Sequence, residues 1–152
     1  MGKSTTRVQA ALEAAGVETQ ILHLPASTRT ADDAARACDC NVAQIVKSLI
    51  FTGSKSGKLL LLLVSGAHQV DLAAFAEETG EPLLRADPKD VRARTGFAIG
   101  GVAPVGHLEA PATYMDRSLL DYDMVWAAAG APNAVFQIKP DKLADMTGAA
   151  LF

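Results

Sequence analysis

Two apolar runs, residues 45–52 and 58–65, are joined by Gly53, Ser54, Lys55, Ser56 and Gly57, and this arrangement constrains the chain more than any other feature. Aliphatic runs of strand length on either side of a short polar loop bounded by glycines predict an antiparallel hairpin. The first run, "QIVKSLIF", holds an anomaly in Lys47. Ile45, Leu49 and Phe51 share its face and Val46 and Ile50 occupy the other, so neither face is built for water. A charge in such a strand costs several kcal/mol unless it is paired or meets an anionic ligand. A strand-end lysine that snorkels its ammonium to solvent satisfies the same pattern.

Around the hairpin, helices and strands alternate. Thr5 or Thr6 is placed to cap a first helix with Val8, Leu12 and Ala15 on one face and Gly16 as its stop. Residues 17–24 read as a strand closed by Pro25. Thr30 with Asp33 three residues on resembles a capping box and opens an alanine-rich helix through Ala37, and Asn41 with Gln44 starts a second short turn. Asp71 caps a helix ending at Gly80; Asp87, followed by Pro88 and Asp90, starts another ending at Gly96. Short strands follow at 97–99 and 113–116, then a hairpin of 124–129 with 134–138 and a last helix from Pro140 to Gly148. Early alternation with hairpins in the middle and near the end predicts one α/β domain over residues 1–152, with a mixed, largely antiparallel sheet flanked by helices. At 152 residues and 49% hydrophobic, the chain can bury roughly two thirds of the surface its unfolded form exposes.

The same composition excludes several classes. The longest apolar run, residues 59–64, is far short of the ~20 needed to span a membrane, and the N-terminal stretch lacks the apolar block of a secretory signal, so a cytoplasmic protein without membrane attachment is expected. A net charge of −3 argues against gripping long stretches of nucleic acid, while contact with a short end is allowed. Cys38 and Cys40 are too close for an unstrained bridge and read as free thiols. His23, His68 and His107 are scattered without ligand spacing, so neither a metal nor an organic cofactor is expected.

The second informative stretch is "GFAIGGVAPVGH", residues 96–107. It matches neither the dinucleotide fingerprint nor a Walker loop. Gly100 and Gly101 can turn bare amides toward a ligand and Pro104 fixes the turn, so the stretch suits a small nest for an oxyanion or hydroxyl; a tight structural turn accounts for the glycine pair equally well. His107 is a candidate base without a visible partner, Ser65 and Gly66 end a strand where a cleft wall would lie, and Asp116 either pairs with a cation or caps a turn. A conventional hydrolase built on His107 with Ser65 or Cys40 lacks the G-x-S-x-G support such chemistry usually has.

Taken in order, "TADDAA", "IVKSLIF", "LLLVSG", "DLAAFA", "TGFAIGGVAPVGH", "YMD" and "VWAAAGAPN" resemble the free-standing aminoacyl-tRNA editing proteins. These are the YbaK-like and ProX-like relatives of the editing domain inserted in bacterial prolyl-tRNA synthetase. The resemblance runs from Arg7 to Thr147, and its most specific parts are the strand lysine and the G-x-x-x-P loop, Gly100 to Pro104. It implies a deacylase that cleaves the ester of a wrong amino acid from tRNA, most directly tRNA for proline, without a side-chain nucleophile: the neighbouring ribose hydroxyl assists. On that model Lys47, Gly100 and Gly101 carry the chemistry. Thr30, Ser48, Ser65, Gly66, Pro104, Gly106, His107, Asp116 and Gly130 contact substrate. The implied partners are the aminoacyl-tRNA acceptor end and prolyl-tRNA synthetase; no oligomeric state is implied. Ala127, Ala128 and Ala129 precede Gly130 where the cysteinyl-removing branch often carries serine, and no histidine follows His107 where the alanyl-removing branch has one, so the amino acid stays open between alanine, cysteine and similar small residues. A binding module that keeps the pocket without hydrolysis is the alternative.

Overall fold

In the computed structural model, which describes residues 2–25 and 30–152, the expected hairpin is the centre of the molecule. β2 (Val46–Gly53) and β3 (Leu59–Ser65) pair antiparallel along seven registered positions, from Val46 opposite Ser65 to Thr52 opposite Leu59. Every residue of β3 is buried because both of its faces are covered. Leu61 and Leu63 turn into the main core with Val8, Leu12, Phe97 and Phe136, while Leu60, Leu62 and Val64 pack on Phe75 of α3 (Leu72–Thr79). At ~1.5–3 kcal/mol for each large aliphatic side chain removed from water, this strand is a principal source of stability.

β4 (Leu83–Arg85) adds antiparallel to the free side of β2, and β5 (Ala112–Met115) and β8 (Ala150–Leu151) add parallel beyond β3, giving the order β4-β2-β3-β5-β8. A second, antiparallel sheet has the order β1-β7-β6, from β1 (Leu22–His23), β7 (Ala134–Ile138) and β6 (Val125–Ala128). The sheets meet where Ile45 bridges to Trp126, which brings the start of β2 beside β6. This is the mixed, antiparallel-dominated α/β fold that the sequence indicates.

Local signals explain the helices. Thr30 caps α2 (Ala31–Cys38) by accepting the Asp33 amide at 3.0 Å, and Asp39 closes it in the left-handed region at φ 53°. Asp71 caps α3 and Asp87 caps α4 (Pro88–Thr95), each helix ending at a glycine with positive φ. α5 (Pro140–Thr147) starts on its proline and ends at Gly148.

Three expectations need correction. α1 (Lys3–Ala14) is capped by Gly2; Thr5 is buried in the helix and the Thr6 hydroxyl donates to the Gly2 carbonyl. The strand expected over 17–24 is reduced to Leu22–His23, the part that pairs with β7. Residues 97–99 form no strand: Phe97 is a buried plug, and Ile99–Gly101 are a 3-10 turn. Among the described residues no helix is long and apolar enough to cross a membrane.

Gly66 shows why one glycine is obligatory. A Cβ built there lies 2.4 Å from the Val42 carbonyl oxygen and 2.9 Å from the Ala31 Cβ, so the backbone itself would have to shift. Gly66→Ala is expected to destabilise the fold by about 3 kcal/mol, the upper end of overpacking costs. Urea unfolding checks this; an unchanged midpoint would contradict the packing.

Candidate active site

The meeting point of the two sheets is hollow. A cavity of about 330 Å³ opens between the cap and first turns of α2, the start of β2, the 3-10 turn and the end of β6. Its walls are mostly short and apolar, Ala31, Ala34, Ile45, Val102, Ala127, Ala128 and Val135, with Trp126 and Ile99 at its sides. Four residues singled out in the sequence line it: Thr30, Lys47, Ser48 and Gly100.

Lys47 lines the cavity from the near half of β2, beyond the reach of β4, which pairs only from Phe51 onward. Its ammonium donates to the His68 carbonyl. That carbonyl is fixed in turn. The His68 amide donates to Ser65 O at 2.9 Å, and the imidazole Nδ1–H donates to Asp116 Oδ2 at 2.9 Å. Asp116 also accepts the Ser65 amide at 3.1 Å and, on its other oxygen, the Ser118 amide at 3.0 Å and hydroxyl at 2.8 Å. Burial alone would raise the Asp116 carboxyl, but hydrogen bonds from His68, Ser118 and Ser65 outweigh it and hold the group below its ordinary value. Asp116 and Ser65, whose hydroxyl donates to Ala43 O at 2.8 Å, do not line the cavity.

The 3-10 turn brings Gly100 to the wall of the same cavity. The Gly101 amide is spent on Ala98 O at 2.8 Å, whereas the Gly100 amide has no hydrogen-bond partner among the described residues. A Cβ at Gly100 would meet nothing within 4 Å, so the space before it is open to a ligand. Next to Lys47, the Ser48 hydroxyl is buried and likewise unpartnered among the described residues. A lysine, a glycine with an unpartnered amide and an unused hydroxyl thus line one cavity among short apolar side chains.

The remaining expected site residues lie elsewhere. Pro104, Gly106 and His107 line a separate cavity of about 440 Å³ against α1 and α5. His107 Nε2–H donates to Ala103 O at 2.7 Å, and burial lowers its pKa, an effect the Ala103 carbonyl opposes and Arg7 reinforces. Gly130, at φ +90°, is a packing glycine whose Cβ would sit 2.9 Å from the Phe97 ring. Gly66 backs onto α2 as described above. The Cys38 thiol is pushed up to about 11 by burial and then by Cys40 beside it, and neither cysteine lines the cavity. His68, Trp126 and Ile99 were not picked out in the sequence. His68 acts through its backbone carbonyl, which leaves no sequence signal; the single tryptophan beside three alanines was the readable clue to a wall.

The α/β fold thus carries, where its two sheets meet, a cavity of a size that suits a small ligand or the end of a larger one. Residues 25–146 match the family model for the aminoacyl-tRNA editing domain. The chain is similar over its whole length, at 48% identity and a TM-score of 0.92, to 96% of a crystal structure described as "a putative trans-editing enzyme for prolyl tRNA synthetase". It is 28% identical over 130 residues to "Uncharacterized protein YwhH" of Bacillus subtilis, covering 86% of this chain and 82% of that one. It is 24% identical over 119 residues to "Putative Cys-tRNA(Pro)/Cys-tRNA(Cys) deacylase EbsC" of Enterococcus faecalis, covering 78% of this chain and 72% of that one. The chain belongs to the aminoacyl-tRNA editing family, and its activity is that of an aminoacyl-tRNA deacylase.

Proposed function

We propose that the protein works in trans on mischarged tRNA(Pro), removing a small non-cognate amino acid from the 3′-terminal ribose in the cavity between Lys47 and Gly100. The observation that supports the reading is that Lys47, Gly100 and the buried, unpartnered Ser48 hydroxyl line one cavity. The names of the similar structure and of EbsC, which mention prolyl-tRNA synthetase and Cys-tRNA(Pro), support the choice of tRNA. Lys47 binds a phosphate or hydroxyl of the terminal adenosine. The aminoacyl group lies against Ala34, Ala127, Ala128 and Val135, whose methyl groups leave room for a short side chain. Water adds to the ester carbonyl, the C–O bond to the ribose breaks, the ribose oxygen takes the proton, and free amino acid and tRNA leave. The Gly100 amide donates to the oxygen on which charge develops, or to the neighbouring ribose hydroxyl that assists the water; one such donor contributes about 10²–10³-fold. A second pocket of this kind corrects what synthetase binding cannot, since small side chains differ by only ~1–3 kcal/mol in a first pocket. A prolyl-tRNA synthetase that hands over the charged tRNA is the fitting partner.

The test is ester loss from tRNA(Pro) charged with alanine, cysteine, serine, 2-aminobutyrate or proline. Hydrolysis of at least one short non-cognate ester, with the prolyl ester spared, is expected. Prolyl ester cleaved as fast as the others would contradict the small-side-chain reading.

A further inference from the structure

The stretch 96–107 is a loop closed on itself. At its base Leu108 and Glu109 donate their amides to Thr95 O and Arg94 O, both at 3.0 Å. Inside, Phe97 is wholly buried and packs edge-on against His107, ring centroids 5.0 Å apart. At the tip, the turn that carries Gly100 holds the bond from Gly101 to Ala98 described above, and its two adjacent glycines give the backbone wide conformational freedom. Something else must fix where that tip stands.

One side chain from outside the loop touches both of its ends. Arg7 of α1 donates Nη2 to Gly96 O at 2.6 Å and Nε to Gly106 O at 3.2 Å, and its guanidinium carbon lies 5.1 Å from the centre of the Phe97 ring. The helix backbone is pressed against the same loop: a Cβ on Gly106, at φ +83°, would come within 3.0 Å of the Val8 nitrogen. A planar guanidinium presents several donors in a fixed fork and stacks on an aromatic face; an ammonium is a single point and does neither in this geometry. Arg7 does not line the cavity, and α1 precedes residue 25, where the family match begins.

We propose that Arg7 is a positioning residue of the deacylation. Resting on the deacylase reading above, the inference is that the guanidinium sets the spacing of Gly96 and Gly106, and with it the placement of the Gly100 amide. Displacing a group at the reacting centre by about 1 Å can cost ~10²-fold in rate, so a strut on the far side of the loop controls turnover without touching substrate.

The experiment compares the full-length protein with Arg7→Lys and Arg7→Gln, each well below its own melting temperature. Both variants should lose about 10-fold or more in kcat with KM kept within about 2-fold, because the interaction lost is one made in the transition state. Hydrogen exchange at the Gly101 amide should accelerate by about 10-fold or more, while Leu61 and Leu62 in the β2–β3 ladder keep their rates. A merely structural Arg7 would lower the melting temperature and leave both kcat of the folded protein and Gly101 exchange unchanged, which would overturn the proposal. Full kcat in Arg7→Lys would overturn it too, since charge alone would then suffice. If the unmodified protein hydrolyses no charged tRNA, the deacylase reading fails and the catalytic role with it; the exchange measurement then decides separately whether Arg7 holds the turn.

Discussion

Lys47→Met is expected to lower kcat/KM for a mischarged tRNA(Pro) by about 10- to 150-fold, the equivalent of the ~1.5–3 kcal/mol carried by a hydrogen bond to a charged group. Methionine keeps the unbranched apolar stem that runs along β2 and removes only the ammonium. The lysine bonds one backbone carbonyl, that of His68, and the strand is otherwise held by its ladder to β3, so the fold should lose no more than about 1 kcal/mol. Steady-state kinetics beside a thermal melt separate the two effects. Undiminished kcat/KM in a folded Lys47→Met would remove the lysine from the site.

Gly100→Leu is expected to be the more damaging change, with a loss of about 10²-fold or more and almost no effect on stability. Gly100 has no positive φ and its Cβ direction is empty, so a side chain there is tolerated by the protein, and because Gly100 lines the cavity the larger residue is expected to take up room the proposed substrate needs. Gly100→Ala, which adds one methyl group, should fall between the two. Gly101 is the useful contrast: its Cβ would make an ordinary 3.8 Å contact with Ala131, and its amide is already used inside the turn. Gly101→Ala should therefore keep most of the activity. Equal losses at the two positions would mean that the whole turn, and not the Gly100 face, matters to the reaction. The three variants are read together by single-turnover deacylation and by melting.

The parts of the fold that were legible in the sequence are those fixed by local chemistry. Thr30, Asp71 and Asp87 announce helix starts because a short oxygen-bearing side chain satisfies a free amide wherever it sits, and all three do so here. The β2–β3 hairpin was legible because its apolar runs and glycine-bounded loop depend on nothing distant. β4 and β8 were not, since strands of three and two residues exist only because a neighbour offers an edge. Residues 97–99 misled for a related reason: Phe97 and Ile99 alternate like a strand, yet Phe97 is buried as a plug and Ile99 stands 40% exposed beside the cavity.

The site divides in the same way. Lys47 was visible as a charge where none belongs. Asp116 was legible as a residue that pairs with a cation or caps a turn, and it accepts from both the His68 ring and the Ser118 amide. The carbonyl of His68 and the guanidinium of Arg7 were not, because each contact spans 21 or more positions of chain and ends on a backbone carbonyl that carries no residue signature. The glycine-rich stretch was legible as a loop, but its glycines have different duties. Gly96 and Gly106 adopt positive φ against α1, and Gly100 leaves space.

The most direct measurement titrates a hydrolysis-resistant 3′-alanylamido-adenosine into ¹⁵N-labelled protein and follows backbone amides together with the Lys47 ammonium. The account predicts a saturable downfield shift of the Gly100 amide and a simultaneous change at Lys47, with the amides around Pro104 and His107 left in place. Saturation without a shift at Gly100, or shifts confined to the cavity beside α5, would contradict it.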